Sequence, residues 1–516
     1  MQTHQCLFIV EILDNICFQL ATDIIEGGSS SLSALARTCR AFHDTALDHL
    51  WSDINDITPL VNCMPLDLWG IELNEVEELS RPIVDHDWIR FREYSRRVKS
   101  ISVDEDPQCS VDVYRLLSEA TGDRPLLPNV KKVIWSPHDY AYLLQLHVVM
   151  GPKVIDLTLP LDHVGMEYGE EERFEVIRNL ASAYPHLQHV DLTYSQNTLE
   201  EVDLVSSVVC SWAHLRTLEV NTLSPAALVH LASLPYLQRL SFADVDTETP
   251  LENFPQPSAP ISFPALQYLA IIATKLSSCS SLIETMQSCA LKEINIEVYG
   301  HQLVTGWRHL FLALKNHCKA SSLTSAHFRE CSFPPLPENM AEYTGTIDTI
   351  QPLLSFPNLS SVRMPFPQTI ITNSAAETMA VAWPRLKQLV LLPWNHMQQH
   401  QPCLTLQGLI PFVNHCPELE SLSLTLDALL IPSNHSKIEN SHFQNGGKGP
   451  VLLLDSDGSM IESQQEVATF LSTLRINIQS AHADSGRDVG LSSEWLLVES
   501  FLNDSHSESI KRGNAR

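Results

Sequence analysis

Tyr184-Pro185-His186-Leu187-Gln188-His189-Val190-Asp191-Leu192 decides how this chain is read, because its phrase returns along the sequence. An aromatic residue or proline comes first. Three apolar positions follow, spaced by three and then by two. The phrase holds Leu215, Leu218 and Val220, then Leu237, Leu240 and Phe242, then Leu266, Leu269 and Ile271, then Leu291, Ile294 and Ile296. Later copies hold Leu359, Val362 and Met364, then Leu386, Leu389 and Leu391, then Leu419, Leu422 and Leu424. Weaker copies stand at Val98-Ile101-Val103, Val130-Val133-Trp135, Val154-Leu157-Leu159 and Leu323-Ala326-Phe328.

The last two positions lie two residues apart, so they point to one face of a short strand. The first reaches the same core as the chain enters that strand. One such unit cannot bury its apolar side alone, but stacked neighbours bury it in a continuous parallel ladder. The prolines end the preceding segment and favour extended backbone beside them. Between strands, Phe174, Ile177, Leu180, Ala181 and Tyr184 recur at helical spacing within Glu172 to Tyr184. Leu303, Trp307, Leu310, Phe311 and Leu314 do so again, as do Leu406, Leu409, Ile410 and Val413. Strand and helix alternate, which in a repeat predicts an α/β horseshoe, strands inside and helices outside. The copies lie 22 to 36 residues apart, so the array is degenerate. Its longest gaps are a proline-rich stretch at 333–352 and a polar stretch at 426–465 that reads as flexible. Glu466 to Arg475 predicts a capping helix with Val467, Phe470, Leu471 and Leu474 on one side. Trp495, Val498 and Leu502 predict a further amphipathic turn.

The chain has 516 residues, more than a single compact core holds, which fits an elongated array. It carries 33 Lys and Arg against 61 Asp and Glu, a net charge of −28. That balance argues against nucleic acid and against an anionic membrane, since both need clustered cations. The twelve cysteines form no C-x-x-C pair. Those such as Cys210 and Cys289, set among apolar residues, read as small buried hydrophobes in a reducing compartment. No basic n-region precedes the apolar run from Cys6 to Val10, and Glu11 and Asp14 interrupt it, so no signal peptide is expected. No run approaches a membrane span. The expected compartment is cytosol or nucleus, where the sequons at Asn358, Asn434 and Asn503 carry no weight.

The first fifty residues differ in kind. Cys6 to Leu20 predicts one helix with an apolar stripe of Ile9, Ile12, Leu13, Ile16 and Leu20. Gly27-Gly28 breaks the chain, and Ser29 to Ser31 can cap a second helix with Leu32, Leu35 and Cys39 in register. A third helix carries Ala46, Leu47, Leu50 and Trp51. A unit this small gains stability from docking to something else.

Leu32-Ser-Ala-Leu-Ala-Arg-Thr-Cys-Arg-Ala-Phe-His-Asp-Thr-Ala-Leu-Asp-His-Leu-Trp51, preceded by Val10-Glu11-Ile12-Leu13-Asp14-Asn15-Ile16, resembles an F-box. The layout to the C-terminus is similar to the F-box-like, leucine-rich-repeat-like proteins expanded in mushroom-forming fungi. The fold class is then α/β: a short all-α F-box-like module followed by a leucine-rich-repeat-like horseshoe solenoid. The resemblance implies the adaptor of a cullin–RING ubiquitin ligase. The F-box binds a Skp-type adaptor and the solenoid holds a protein substrate. Carried over by position, Ile9, Ile12, Leu13 and Ile16 are first-helix contacts, and Leu35, Leu50 and Trp51 match the later apolar positions. The family's Leu-Pro before the first helix is not present; Phe8-Ile9 or Ile9-Val10 stands near that place. The stripe serves either a partner in a helix-in-groove contact or only the module's own core. Expected boundaries are 6–55 for the module, 56–96 for connecting helices, and 97–475 for the solenoid with a flexible insert at about 427–465. A cap at 476–502 and a disordered tail at 503–516 follow.

Other chemical signals are weaker. Val451 to Leu454 followed by Asp455-Ser456-Asp457-Gly458 resembles the nucleophile loop of haloacid-dehalogenase-type phosphatases. No later Lys and acidic ligand set follows, and Asp-Ser-Asp-Gly is also an ordinary turn. His396 and His400 are spaced for a metal on a helix, but Pro393 and Pro402 crowd them. Gly27-Gly28-Ser29 lacks the Lys of a phosphate loop. No catalytic residue, metal or cofactor is expected. The run from Asn74 to Glu78 with Asp85 and Asp87 reads as a solvated face. The cluster of Arg90, Arg92, Arg96 and Arg97 either pairs with those acids or meets an acidic partner. The alternative to a ligase adaptor is a solenoid scaffold for protein–protein interaction whose F-box no longer binds.

Overall fold

The computed structural model describes residues 9–513 except 23–27, 70–72, 74–77, 123, 161–169, 194–197, 245–261, 288, 332–338, 392–401, 433–449, 455–458 and 481–492. The chain divides into two compact units, Met1–Ala227 and Leu228–Arg516.

In the first unit three helices, α1 (Val10–Thr22), α2 (Gly28–Ala36) and α3 (Arg40–Leu50), precede a parallel ladder. Its strands are β1 (Asp53–Ile54), β2 (Ser100–Val103), β3 (Lys132–Trp135), β4 (Asp156–Thr158), β5 (His189–Leu192) and β6 (Thr217–Val220). They pair in sequence order. The middle residue of each triplet faces its counterpart in the next: Ile101 pairs with Val133, Val133 with Leu157, Leu157 with Val190 and Val190 with Leu218. Val98, Val130, Val154, Leu187 and Leu215, the first positions, are all buried. The spacing of three and two is thus the signature of one rung.

The second unit repeats this arrangement. Its strands are β7 (Arg239–Asp244), β8 (Tyr268–Ala273), β9 (Glu293–Tyr299), β10 (Ser325–Cys331), β11 (Thr344–Thr346), β12 (Ser361–Arg363) and β13 (Gln368–Ile370). They continue with β14 (Gln388–Val390), β15 (Ser421–Leu424), β16 (Asp427–Ala428), β17 (Val451–Leu454), β18 (Met460–Ile461) and β19 (Asn477–Ser480). The ladder runs β7-β8-β9-β10-β12-β14-β15-β17-β19, all parallel. Leu240, Leu269, Ile294, Ala326, Val362, Leu389, Leu422, Leu452 and Ile478 form one column in register. β11 with β13 and β16 with β18 make two small parallel sheets of their own.

The helix Glu170–Ala183 buries Phe174, Ile177 and Leu180, and the helix Val304–His317 buries Trp307, Leu310, Phe311 and Leu314. Most of the expected helical faces are therefore buried, but Leu303, expected on the second of them, is 44% exposed just before its helix, and Ala181 and Tyr184 are half-buried. Among the described residues no helix is long and apolar enough to cross a membrane.

Several boundaries differ from those expected. β1 pairs with β2, so the ladder begins before residue 97. β17 is a rung paired with β15, although the polar stretch around it reads as a flexible insert. Its Leu452 is fully buried in the column, which explains the apolar run ahead of Asp455 without a phosphatase fold. Asp455 to Gly458 lie outside the described residues, as do His396 and His400. β19 continues the ladder past residue 475. Short helices Met340–Tyr343 and Ile347–Ile350 occupy part of the proline-rich stretch. Trp495, Val498 and Leu502 are buried, and Trp495 Nε1 donates to the Ser459 carbonyl oxygen at 2.9 Å. Their helix spans Ser493–Gly513, past the residue where a disordered tail was expected. Cys17, Cys109, Cys279, Cys289, Cys318 and Cys416 are buried as small hydrophobes, but Cys210 is exposed at the end of its helix.

One buried acid ties a strand end to a helix. Glu330, at the end of β10, accepts from the Gln302 backbone N–H at 3.0 Å and from Trp307 Nε1 at 3.1 Å. His301 Nδ1 lies 3.0 Å from its other oxygen. Burial raises its pKa above the usual 4.5, against the opposing pull of these hydrogen bonds. The folded state therefore binds this proton more tightly than the unfolded chain does. The stability it contributes is full below the unfolded value and is lost as pH rises through the folded one. Glu330→Gln is expected to flatten the fall in thermal midpoint as pH rises from about 4.5, the ordinary carboxyl value. Thermal melts from pH 4 to 8 check this; a variant with the same slope as the wild type contradicts it.

Candidate partner-docking site

The apolar stripe of α1 is wider than the module's core can use. At 100° per residue, Leu13 and Cys17 lie on one flank of the stripe and Ile9, Ile12 and Ile16 on the other. Leu13 and Cys17 turn inward and are 4% and 0% exposed. Ile9, Ile12 and Ile16 are 47%, 37% and 38% exposed. The sequence brought Ile9, Ile12, Leu13 and Ile16 together as contacts; the structure separates Leu13 from the other three.

The core behind that helix consists of Cys17, Leu32, Ala36, Ala46 and Leu47, with Leu20, Leu35, Leu50, Trp51 and Tyr94 packed against it. Leu35, Leu50 and Trp51 are thus partly buried inside the module. Trp51 stacks on Tyr94, with ring centroids 4.5 Å apart and planes 14° from parallel. Tyr94 belongs to the helix Trp88–Ser95, so the stacked pair anchors the module to the segment that follows it. His49 Nε2 lies 2.8 Å from Asp14 and links α3 to α1. Arg97 binds Asp44 at 2.9 Å and also Asp48, both on α3. These ties hold α1 with its isoleucine flank facing solvent.

Of the charged segment after the module, residues 74–77 lie outside the described residues, while Glu78 and Asp85 are exposed. Asp87 is buried, contrary to the solvated face expected there. Arg81 donates to its two oxygens at 2.8 and 3.0 Å, and the Val84 N–H donates at 2.8 Å. The Arg81 hydrogen bond holds the Asp87 carboxyl down at about 2. Asp85 stays exposed, with Arg92 3.9 Å away. Arg97 takes its carboxylate partners from α3, which its place in the sequence does not indicate.

Among the described residues no group of three or more His, Cys, Asp or Glu could hold a metal ion. On the strand face of the second unit, Arg329 pairs with Glu297 at 3.4 Å, and His327 Nε2 lies 2.7 Å from Ser361 Oγ. These polar groups come from adjacent strands β9, β10 and β12 and lie beside a small hollow of about 200 Å3.

The class that fold and site define is an α/β parallel solenoid preceded by a three-helix module with an outward apolar flank. No protein-family model matches the chain, and no curated protein sequence matches it. Among solved structures, a chain from the crystal structure of the Rad7 and Elc1 complex in yeast is similar, at 14% identity and a TM-score of 0.35. The match covers 87% of this chain and 92% of that one.

Proposed function

We propose that this protein is a non-catalytic adaptor of a cullin–RING ubiquitin ligase. The α1 flank docks a Skp-type adaptor subunit and the solenoid holds a protein substrate. The observation that carries this reading is the exposed row Ile9, Ile12 and Ile16, which runs from the residue just before α1 along a helix whose other flank already closes the core. Three isoleucines held outward cost solubility unless something covers them. An apolar helix flank laid into a partner's groove is a recurring recognition mode. The F-box-like phrase from Leu32 to Trp51 supplies the partner class. The function needs no active site: an adaptor acts by raising the effective concentration of substrate near the ligase.

Mixing the full chain with purified Skp-type adaptor and measuring complex formation by size exclusion tests this. A stable complex with a folded chain is the expected result. Failure to associate favours the second reading, a solenoid scaffold without ligase attachment.

A further inference from the structure

A second surface in the first unit carries the opposite chemistry from the rest of the chain. A groove of about 550 Å3 is lined by Asp44, Asp48, Arg96, Arg97, Lys99, Asn129, Lys131 and Lys153. Five of these eight residues are cationic, in a protein with 33 basic and 61 acidic residues. The two carboxylates are already taken, since Arg97 binds both. Arg96, Lys99, Lys131 and Lys153 make no ion pair among the described residues and are exposed. With Asp44 and Asp48 offsetting two of the five cations, the groove keeps a net charge of about +3, and an anion relieves the mutual repulsion of its cations.

The convergence is built by the ladder. Lys99 immediately precedes β2 and Lys131 immediately precedes β3. The N–H groups of Lys131 and Lys132 both donate to the Lys99 carbonyl, at 2.7 and 3.1 Å. Those of Ile155 and Asp156 donate in the same way to the Lys131 carbonyl, at 2.9 and 3.0 Å. The backbones of successive rungs are therefore locked, and their lysines stack at one end of the strands. Lys153 Nζ donates to Asn129 Oδ1 at 2.7 Å, and Asn129 Nδ2 donates to the Arg96 carbonyl oxygen at 2.7 Å. That chain of bonds holds Lys153 beside Arg96.

We infer that this groove binds a short acidic segment of a partner protein, read through carboxylate or phosphorylated side chains. Lys99 and Lys131 hold equivalent positions on adjacent rungs about 4.8 Å apart, and Lys153 lies two residues before the equivalent position, Ile155, of the next, so the three span roughly 10 Å. An extended peptide covers that distance with about three residues. Two or three anionic side chains within such a segment meet the cations. A long polyanion fits less well: beyond the groove it meets a strongly acidic protein, and Asp44 and Asp48 line one wall. The inference does not rest on the adaptor reading, because the groove and the α1 flank share no residue.

Fluorescence anisotropy with the full chain tests it, using four labelled probes: a Glu-rich octapeptide, a phosphoserine octapeptide, an uncharged octapeptide and an eight-nucleotide oligothymidine. One or both anionic peptides are expected to bind, and the stronger of the two identifies the source of the anion. Lys99→Glu with Lys131→Glu should weaken binding by at least about tenfold, as should raising the salt concentration. Lys131→Gln with Lys153→Gln removes charge more gently and should weaken it by a smaller factor. Lys319→Glu, an exposed site in the second unit, should leave it unchanged. Equal binding by wild type and both groove variants overturns the inference. So does binding of the uncharged peptide as tightly as the acidic ones, or of none of the peptides. Tighter binding of the oligothymidine replaces the peptide with nucleic acid and equally overturns it.

Discussion

Ile12→Asp with Ile16→Asp is expected to abolish capture of a Skp-type adaptor while leaving the thermal midpoint unchanged. Both side chains are more than a third exposed, so the folded chain loses little packing when they become polar. In a complex the same positions are desolvated, and two carboxylates placed there have no partners. Burying an unpaired charge at an interface costs several kcal/mol. A fall of at least about 100-fold in affinity follows, or about 2.7 kcal/mol. Titration calorimetry with the purified adaptor measures it. Phe18→Asp is the control, since Phe18 is exposed on another side of α1 and lies outside the isoleucine row. Equal loss in both variants would mean that the isoleucine flank is not the contact. Leu13→Asp behaves differently: it puts a charge into the module's core and should unfold the module before any binding is measured.

Trp307→Ala should destabilise the second unit more than any surface change. Trp307 is fully buried on the helix Val304–His317. Its ring meets Phe328 of β10 edge-on at 5.8 Å and Phe311 at 6.0 Å. Removing it leaves a cavity between helix and ladder and takes one donor from the buried Glu330. Large-to-small changes of this kind cost about 3–5 kcal/mol. For a unit of this size that lowers the melting midpoint by roughly 10 °C. Trp307→Phe keeps most of the ring but not the N–H. It should cost less, about 1–3 kcal/mol for the buried acceptor left short of a donor. Calorimetric melts separate the two. An alanine variant that melts with the phenylalanine one would show that packing there contributes little.

The rungs that the sequence reveals are those with three strong apolar positions. Leu187, Val190 and Leu192 are legible because alternation within a short strand buries two residues on one face. Rungs with fewer apolar residues escape. β1 has only two residues, and β19 is marked by Ile476 and Ile478 alone. Val451 to Leu454 was visible as apolar, but its acidic neighbours suggested other chemistry; only its pairing with β15 makes it a rung. At the docking site the stripe itself was legible. Which of its members face outward was not, because periodicity places Leu13 and Ile16 on one broad face. A third helix had to be packed behind that face before one flank could be called inner.

The sequence alone thus determined the repeat, the spacing within each rung and the separate character of the first fifty residues. Those follow from local spacing, which dictates where each side chain points within its own strand or helix. Tertiary structure decided what lies beside what. Lys99, Lys131 and Lys153 are far apart in the chain and share a groove only because rungs stack in register. Arg97 finds Asp44 and Asp48 because α3 packs against the segment that leads into β2. Spacing fixes direction along a segment, but the closeness of distant charges depends on how segments pack.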